Sequence, residues 1–358
     1  MLEYRIWVEM LTNLRLSGFR NYVEASFELS SGVNVVVGEN AKGKTNFLEA
    51  IYLLGVGDSF RAKRTEEMVG FGLELGKVAG EVQLTKNDQM TLEVIVNNGL
   101  VMGKAVNKRK YLVDGVSKRR RDILGLLPLV LFRPEDVELV SGSPGPRRRF
   151  LDSLLIQVDK IYENSLSTYD QALRRRNKIL DDIREGTASR YALTFWDGLL
   201  IKHGQIVTEK RRDLIEYINA LFKKSELFKD LEVVYDMSSV SESRLSQYKE
   251  AEVAVGYTLV GPHKDDFVIK DKSRDLATYG SRGEQRMAVL ALKMGEIYFM
   301  EEKSDKKVLL LLDDIFSELD ETHKEEVLRV MSGRQVVVTT ADEGDSKMFK
   351  GAKIIGLS

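Results

Sequence analysis

The apolar run Val33-Asn34-Val35-Val36-Val37 leads straight into Gly38-Glu39-Asn40-Ala41-Lys42-Gly43-Lys44-Thr45. Behind that octet, Phe47, Leu48, Ile51 and Leu54 recur at helical spacing. A buried strand, a G-x-x-x-x-G-K-T turn and a helix, in that order, form the context of a phosphate-binding P-loop. Two glycines let the backbone curl so that successive N–H groups face one anion, and the helix N-terminus adds its partial positive charge there. Lys44 has the length and charge to reach β- and γ-phosphates, and the Thr45 hydroxyl suits a Mg²⁺ ion. Gly38, Glu39, Asn40, Ala41, Lys42, Gly43, Lys44 and Thr45 are therefore the expected binding set for a nucleoside triphosphate.

The rest of the chain must serve this turn, and its composition limits how. At 358 residues and 43% hydrophobic it can build a large core, divided into two domains or lobes. Without cysteine there is no thiol catalysis, disulfide or Cys-based zinc site, which fits a reducing, cytoplasmic setting. No apolar run approaches the ~20 residues that span a bilayer, so no membrane role is expected. Residues 1–9 carry charges where a signal peptide needs an apolar core and read as an extension. The formal net charge is −1, so any nucleic-acid surface must be local.

Leu14, Leu16, Phe19 and then Ala25, Phe27, Leu29 alternate as half-buried strands do. The turn Phe19-Arg20-Asn21-Tyr22 between them reads as exposed, with a contact to a nucleotide base as the sharper alternative. From Gly70 to Val116 the alternation continues, punctuated by Asn87-Asp88, Asn98-Gly99 and Asp114-Gly115, which predicts an antiparallel β-subdomain built from hairpins. Inside it lie Lys104, Lys108, Arg109, Lys110, Lys118, Arg119, Arg120 and Arg121. They read either as a strand edge protected by charge or as contacts to a phosphate backbone. Lys108, Arg109, Lys110, Arg119, Arg120 and Arg121 are the candidate DNA contacts.

Pro134, Pro144 and Pro146 mark a boundary. Residues 1–133 and 307–358 form one expected lobe, and 134–306 a second. Helical periodicity from Arg147 to about Arg184, and again to about Leu227, predicts an antiparallel arm of ~55–60 Å if each stretch is continuous, or else a bundle of shorter helices. Val233-Val234-Tyr235 and Val253-Ala254-Val255 read as strands. Gly261-Pro262-His263-Lys264-Asp265-Asp266-Phe267 reads as a structured loop rather than a metal or catalytic centre.

Two later segments sharpen the P-loop. Val308–Leu312 is an apolar strand ending in Asp313-Asp314, the Walker B form: Asp313 is placed to hold Mg²⁺ with Thr45, and Asp314 to orient the attacking water. Ser281-Arg282-Gly283-Glu284-Gln285 opens a helical run. Alone it is an ordinary N-cap; beside a Walker B segment it resembles the signature motif of ABC-type ATPases, so Ser281, Gly283 and Gln285 join the binding set. With Ser317-Glu318-Leu319-Asp320, Gly142-Ser143-Pro144-Gly145-Pro146-Arg147-Arg148-Arg149-Phe150-Leu151-Asp152 and the Gly261–Phe267 segment, these motifs resemble the RecF family of bacterial recombination mediators, similar in turn to SMC-type heads. The resemblance runs from about Leu11 to the C-terminus. It implies an α/β fold, an ABC-type P-loop ATPase head with a mixed sheet, an antiparallel β-subdomain, an inserted helical lobe and a short helical arm. It also implies ATP and Mg²⁺ as ligands, and catalytic roles for Lys44 and Asp314. The ATP-dependent homodimer it implies forms on gapped or junction DNA, hydrolyses ATP weakly, works with a RecR-like mediator in loading RecA, and takes part in the SOS response. In ABC proteins the second Walker B acid is usually Glu, and a His follows the last core strand; this chain has Asp314 and Thr340. Glu135 or Asp136 stands for the inter-lobe Gln. A transporter ATPase subunit is the alternative, opposed by the arm and the RecF-like segments; a P-loop kinase has no use for Ser281–Gln285.

Overall fold

The structure, a computed structural model, describes residues 10–39, 41–101, 103–316, 319, 321–341 and 348–357. The expected extension over residues 1–9, Asn40 of the P-loop, and Ser317, Glu318 and Asp320 lie outside them. The chain divides into two compact units, residues 1–136 with 296–358, and residues 137–295. The second division falls within the helix Arg282–Ser304, so no loop marks it.

The first unit carries both kinds of strand pairing, in separate sheets. One is parallel, in the order Leu129–Phe132, Leu309–Asp313, Val336–Thr340, Val33–Val37, Lys353–Gly356. Its three central strands are buried almost throughout, which is why they read as mainly apolar runs rather than alternating ones. The other is antiparallel, in the order Tyr22–Glu28, Met10–Phe19, Leu75–Thr85, Asp88–Asn97, Arg109–Val113, Val116–Lys118. Leu14, Leu16, Val78, Val82, Leu92, Val94 and Val96 form its buried face. The helix Lys44–Val56 packs here so closely that a Cβ on Gly80 would lie 2.6 Å from Leu54. Gln335, 2% exposed, ties the sheets together: it accepts from the Leu11 N–H (2.9 Å) and donates to the carbonyls of Leu11 (2.7 Å) and Ser30 (2.8 Å).

Of the three turn signals, Asn87-Asp88 and Asp114-Gly115 close hairpins, the latter with φ +50° and +76° as a tight hairpin turn demands. Asn98-Gly99 does not join two strands of this sheet. Asp88–Asn97 pairs instead with Arg109–Val113, and the chain between them forms a separate ribbon, Leu100–Val101 with Lys104–Ala105. Buried Asn97 organises the excursion, donating to the Asn107 carbonyl (2.9 Å) and accepting from the Gly99 N–H (2.7 Å).

The second unit is mainly helical, with a small sheet of Leu231–Asp236, Asp266–Asp271 and Arg274–Asp275. The first expected long helix is interrupted. Pro144–Val158 ends at Asp159, whose carboxylate caps the next helix, Lys160–Arg184, by accepting from Ile161 and Tyr162 N–H groups. That 25-residue helix and the 31-residue Thr194–Lys224 reach only about 38 and 46 Å. They run antiparallel, as the pairs Asp159–Lys210 and Asp197–Arg176 show. Val253–Val255 is not a strand but the last turn of the helix Glu242–Val255. Glu252, fully buried, takes the Arg176 guanidinium (2.8 Å) and the Leu259 N–H, which fixes that turn on the long helix. Among the described residues no helix is long and apolar enough to cross a membrane.

Candidate nucleotide site

Strand order decides what meets at the P-loop. Val336–Thr340 lies between the P-loop strand and the Walker B strand, with Thr339 level with both Val36 and Asp313. All three strands run parallel, so their carboxyl ends share one edge, where ligands of such sheets bind. Thr45, first turn of the helix, then donates to Asp313 Oδ1 at 3.3 Å. Thr339 donates to the same oxygen at 2.8 Å. Burial pushes the Asp313 carboxyl above its ordinary range against these two hydroxyls, and nearby Glu135 pushes the same way. A buried carboxylate and a hydroxyl, both hard oxygen donors, match what Mg²⁺ requires of a protein. The next residue, Asp314, turns left-handed (φ +51°) and its N–H returns to Thr339 Oγ1 at 3.1 Å.

In the loop itself Lys44 is 8% exposed and donates to the carbonyls of Gly38 (2.6 Å) and Glu39 (3.1 Å). Ala41 (φ +68°) and Gly43 (φ +105°) provide the left-handed curl. Gly38 is crowded by Leu357, 3.2 Å from where a Cβ would stand. Lys42 and Glu39 are exposed at the rim. Of the two acids considered for the inter-lobe position, Asp136 is buried and structural, accepting from the Arg133 N–H (2.9 Å). Glu135 is exposed and close enough to act on Asp313. Thr340 is 3% exposed.

Residues 10–357 match the model of the RecF/RecN/SMC N terminal domain family. The DNA replication and repair protein RecF of Lachnoclostridium phytofermentans is 35% identical over 92% of this chain and 92% of its own. That of Halalkalibacterium halodurans is 36% identical over 93% and 92%. The chain belongs to the RecF family. Two solved structures of the recombination mediator protein RecF in the RecFOR pathway, RecF-ATP and RecF-ATPrS, superpose with TM-scores of 0.88 and 0.85. They are 30% and 31% identical, covering 96% and 94% of this chain and 95% and 94% of theirs. An Smc head bound to ScpA, 16% identical with a TM-score of 0.53 over 97% of this chain and 93% of its own, shares the fold. The fold is thus that of an ABC-type ATPase head.

The segments Gly142–Asp152 and Gly261–Phe267 meet in a buried ionic network of the second unit. Arg211, 2% exposed, bonds Asp152 (2.6 Å) from the first segment and Asp265 (3.0 Å) from the second. Arg147 grips Asp266 with two nitrogens (2.6 and 2.8 Å), and Arg148 donates to the Asp265 carbonyl. Arg211 belongs to no sequence motif, and only its contacts mark it out. His263 accepts at Nδ1 from the Tyr169 hydroxyl (2.6 Å) and donates from Nε2 to the Thr258 carbonyl (3.0 Å), the tautomer these partners demand. Both segments are thus tied into the helical unit by buried side-chain contacts.

The other RecF-like segment, Ser281–Gln285, caps Arg282–Ser304 with a reciprocal capping box. The Glu284 N–H donates to Ser281 Oγ (3.3 Å) and the Ser281 N–H to Glu284 Oε2 (2.7 Å). The Ser281 N–H and hydroxyl, with Arg274 (2.9 Å), hold the Glu284 carboxyl down at about 2. Gln285 donates to the Leu276 carbonyl (2.9 Å), whereas Gly283 is exposed with nothing within 4 Å of a Cβ position. The cationic candidates separate too. Arg109 pairs with Asp58 (2.8 Å) and Thr65, tying the sheet to the segment after the P-loop helix, and Arg120 Nε donates to the Val56 carbonyl (3.0 Å) at the end of that helix; both are half-buried. Lys108, Lys110, Arg119 and Arg121 are exposed, Lys108 beside Glu66 (3.3 Å).

Proposed function

We propose that this chain is an ATP-dependent DNA-binding clamp of recombinational repair. It binds ATP and Mg²⁺ at the P-loop, joins a second copy around the nucleotide through Ser281 and Gly283, and lets go on slow hydrolysis. The observation that carries this is the convergence of Thr45 and Asp313, 3.3 Å apart, at the carboxyl edge of the parallel sheet. The family supports the rest: the superposed neighbours are described with ATP and ATPrS in the RecFOR pathway, and the relatives as DNA replication and repair proteins.

Thr45 and Asp313 would hold Mg²⁺, which would supply charge neutralisation for the phosphates. Lys44 exchanges the Gly38 and Glu39 carbonyls for phosphate oxygens, which its flexible stem permits. Asp314 orients the attacking water. It is one methylene shorter than Glu, which supports slow turnover. Lys108, Lys110, Arg119 and Arg121 supply backbone contacts to gapped or junction DNA, and a RecR-like mediator is the expected partner.

The test is isothermal calorimetry with ATP and Mg²⁺, together with phosphate release with and without gapped duplex. Lys44→Ala is expected to abolish ATP binding, because no neighbouring cation replaces it. Undiminished affinity in that variant overturns the site.

A further inference from the structure

We propose that Asn21 and Tyr22 are positioning residues of the P-loop, holding its Lys42 and Gly43 carbonyls and so aiming the next two N–H groups at phosphate. The inference rests on the ATP-binding reading. Asn21 Nδ2 donates to the Lys42 carbonyl at 3.2 Å, and the Tyr22 hydroxyl to the Gly43 carbonyl at 3.1 Å. In a planar trans peptide the C=O and the following N–H point to opposite sides. With both carbonyls turned to Asn21 and Tyr22, the N–H groups of Gly43 and Lys44 face away from that turn. Those are donors of the kind from which a P-loop makes its anion cradle.

The turn is fastened so that it can do this. Asn46, one residue past Thr45, donates to Asn21 Oδ1 at 2.7 Å, which leaves the Asn21 amide hydrogens for Lys42. Arg20, in the left-handed region at φ +53°, grips fully buried Glu49 with two nitrogens (2.7 and 2.6 Å). Ser59 donates to the same carboxylate. The Tyr22 ring packs edge-on against Phe27 (5.9 Å), and Phe27 against Phe47 (5.0 Å) of the P-loop helix. Burial pushes the Tyr22 phenol well above its ordinary range, so the hydroxyl remains a donor at neutral pH. The fit is close on the loop side as well. A Cβ on Gly43 would stand 2.7 Å from the Asn21 amide and 3.0 Å from the Tyr22 hydroxyl. The second glycine of the P-loop is therefore needed for this contact as well as for its φ of +105°.

Positioning through the backbone acts on the phosphates and not on the base, and this separates it from a base contact by the same turn. The experiment uses the full chain as wild type, Tyr22→Phe, and Asn21→Ala with Tyr22→Phe. Affinities for ATP and for inorganic triphosphate are measured by competition against a fluorescent ATP analogue, alongside melting temperature. Tyr22→Phe keeps the ring on Phe27 and removes only the hydroxyl. It is expected to weaken ATP and inorganic triphosphate by the same factor, roughly five- to tenfold, the worth of about one net hydrogen bond. The double variant loses more, for both ligands alike. Unchanged affinity for both ligands, with or without a lower melting temperature, overturns the proposal and leaves the turn purely structural. A loss confined to ATP overturns it in favour of a base contact. If the wild-type protein binds neither ligand, the ATP-binding reading fails, and this one with it.

Discussion

Asp313 and Asp314 are neighbours in sequence with different surroundings. Asp313 ends the buried strand beneath two hydroxyls, and the left-handed turn at Asp314 follows it, with that residue partly exposed. This division supports a metal-holding role for the first acid and a water-orienting role for the second. Asp314→Asn keeps the size and removes the charge. Its ATP affinity is expected to hold or rise, while phosphate release falls by roughly 10²-fold or more, the scale of losing an acid–base group. The complex on gapped duplex should then outlive removal of free ATP. Wild-type phosphate release, or a shortened complex lifetime, counts against this role. Thr339 serves both acids through one hydroxyl, yet it looked like any threonine in a β-strand.

At the scale of elements, the Gly261–Phe267 loop is held by close contacts inside the helical unit. Gly261 (φ +122°) comes so close to Tyr169 that a Cβ would lie 2.4 Å from its hydroxyl, and His263 closes the loop on Thr258. Burial lowers the His263 pKa from 6.5 to about 4. Between those values the unfolded chain binds the proton and the folded one does not, so stability rises with pH across this window. The contribution is complete above about pH 6.5 and is lost as pH falls towards about 4. The melting temperature of wild type is expected to drop between pH 6.5 and 4 more steeply than that of His263→Asn. Equal slopes would show that the ring titrates as if exposed. The long helices follow the same pattern: Arg176 and Arg211 each gather acids from separate segments, so pairing rather than helix length sets the arm's geometry.

For the molecule as a whole, the proposed clamp depends on a face that completes a second copy's site. Ser281 both caps its helix and stands beside Gly283, whose Cβ position is open, as a surface meeting another copy's phosphate would need. Ser281→Arg should leave ATP binding by the monomer nearly intact and abolish the ATP-induced dimer in sedimentation. Loss of the N-cap is worth about 0.5–2 kcal/mol by itself, and the melting temperature of the nucleotide-free variant measures that separately. A dimer that persists with ATP rules out this role for Ser281.

Short-range pattern alone encodes the P-loop between its strand and helix, the Walker B strand, the capped helix at Ser281 and the alternating β-subdomain. Each is a local arrangement with its own period or turn chemistry, so each is legible within some ten residues. Partnerships between distant segments come from the fold. Thr339 meets Asp313 because strand order sets Val336–Thr340 between the P-loop and Walker B strands. Phe19–Tyr22, read as an exposed turn, lies against the P-loop because Met10–Phe19 is pinned through Gln335 and Arg20 finds Glu49. Arg109 and Arg120 turn inward from a run of cations whose other members stay exposed. Nothing in local sequence separates an arginine that will find a buried carbonyl from one that will meet solvent; the register of strands far apart in the chain makes that choice.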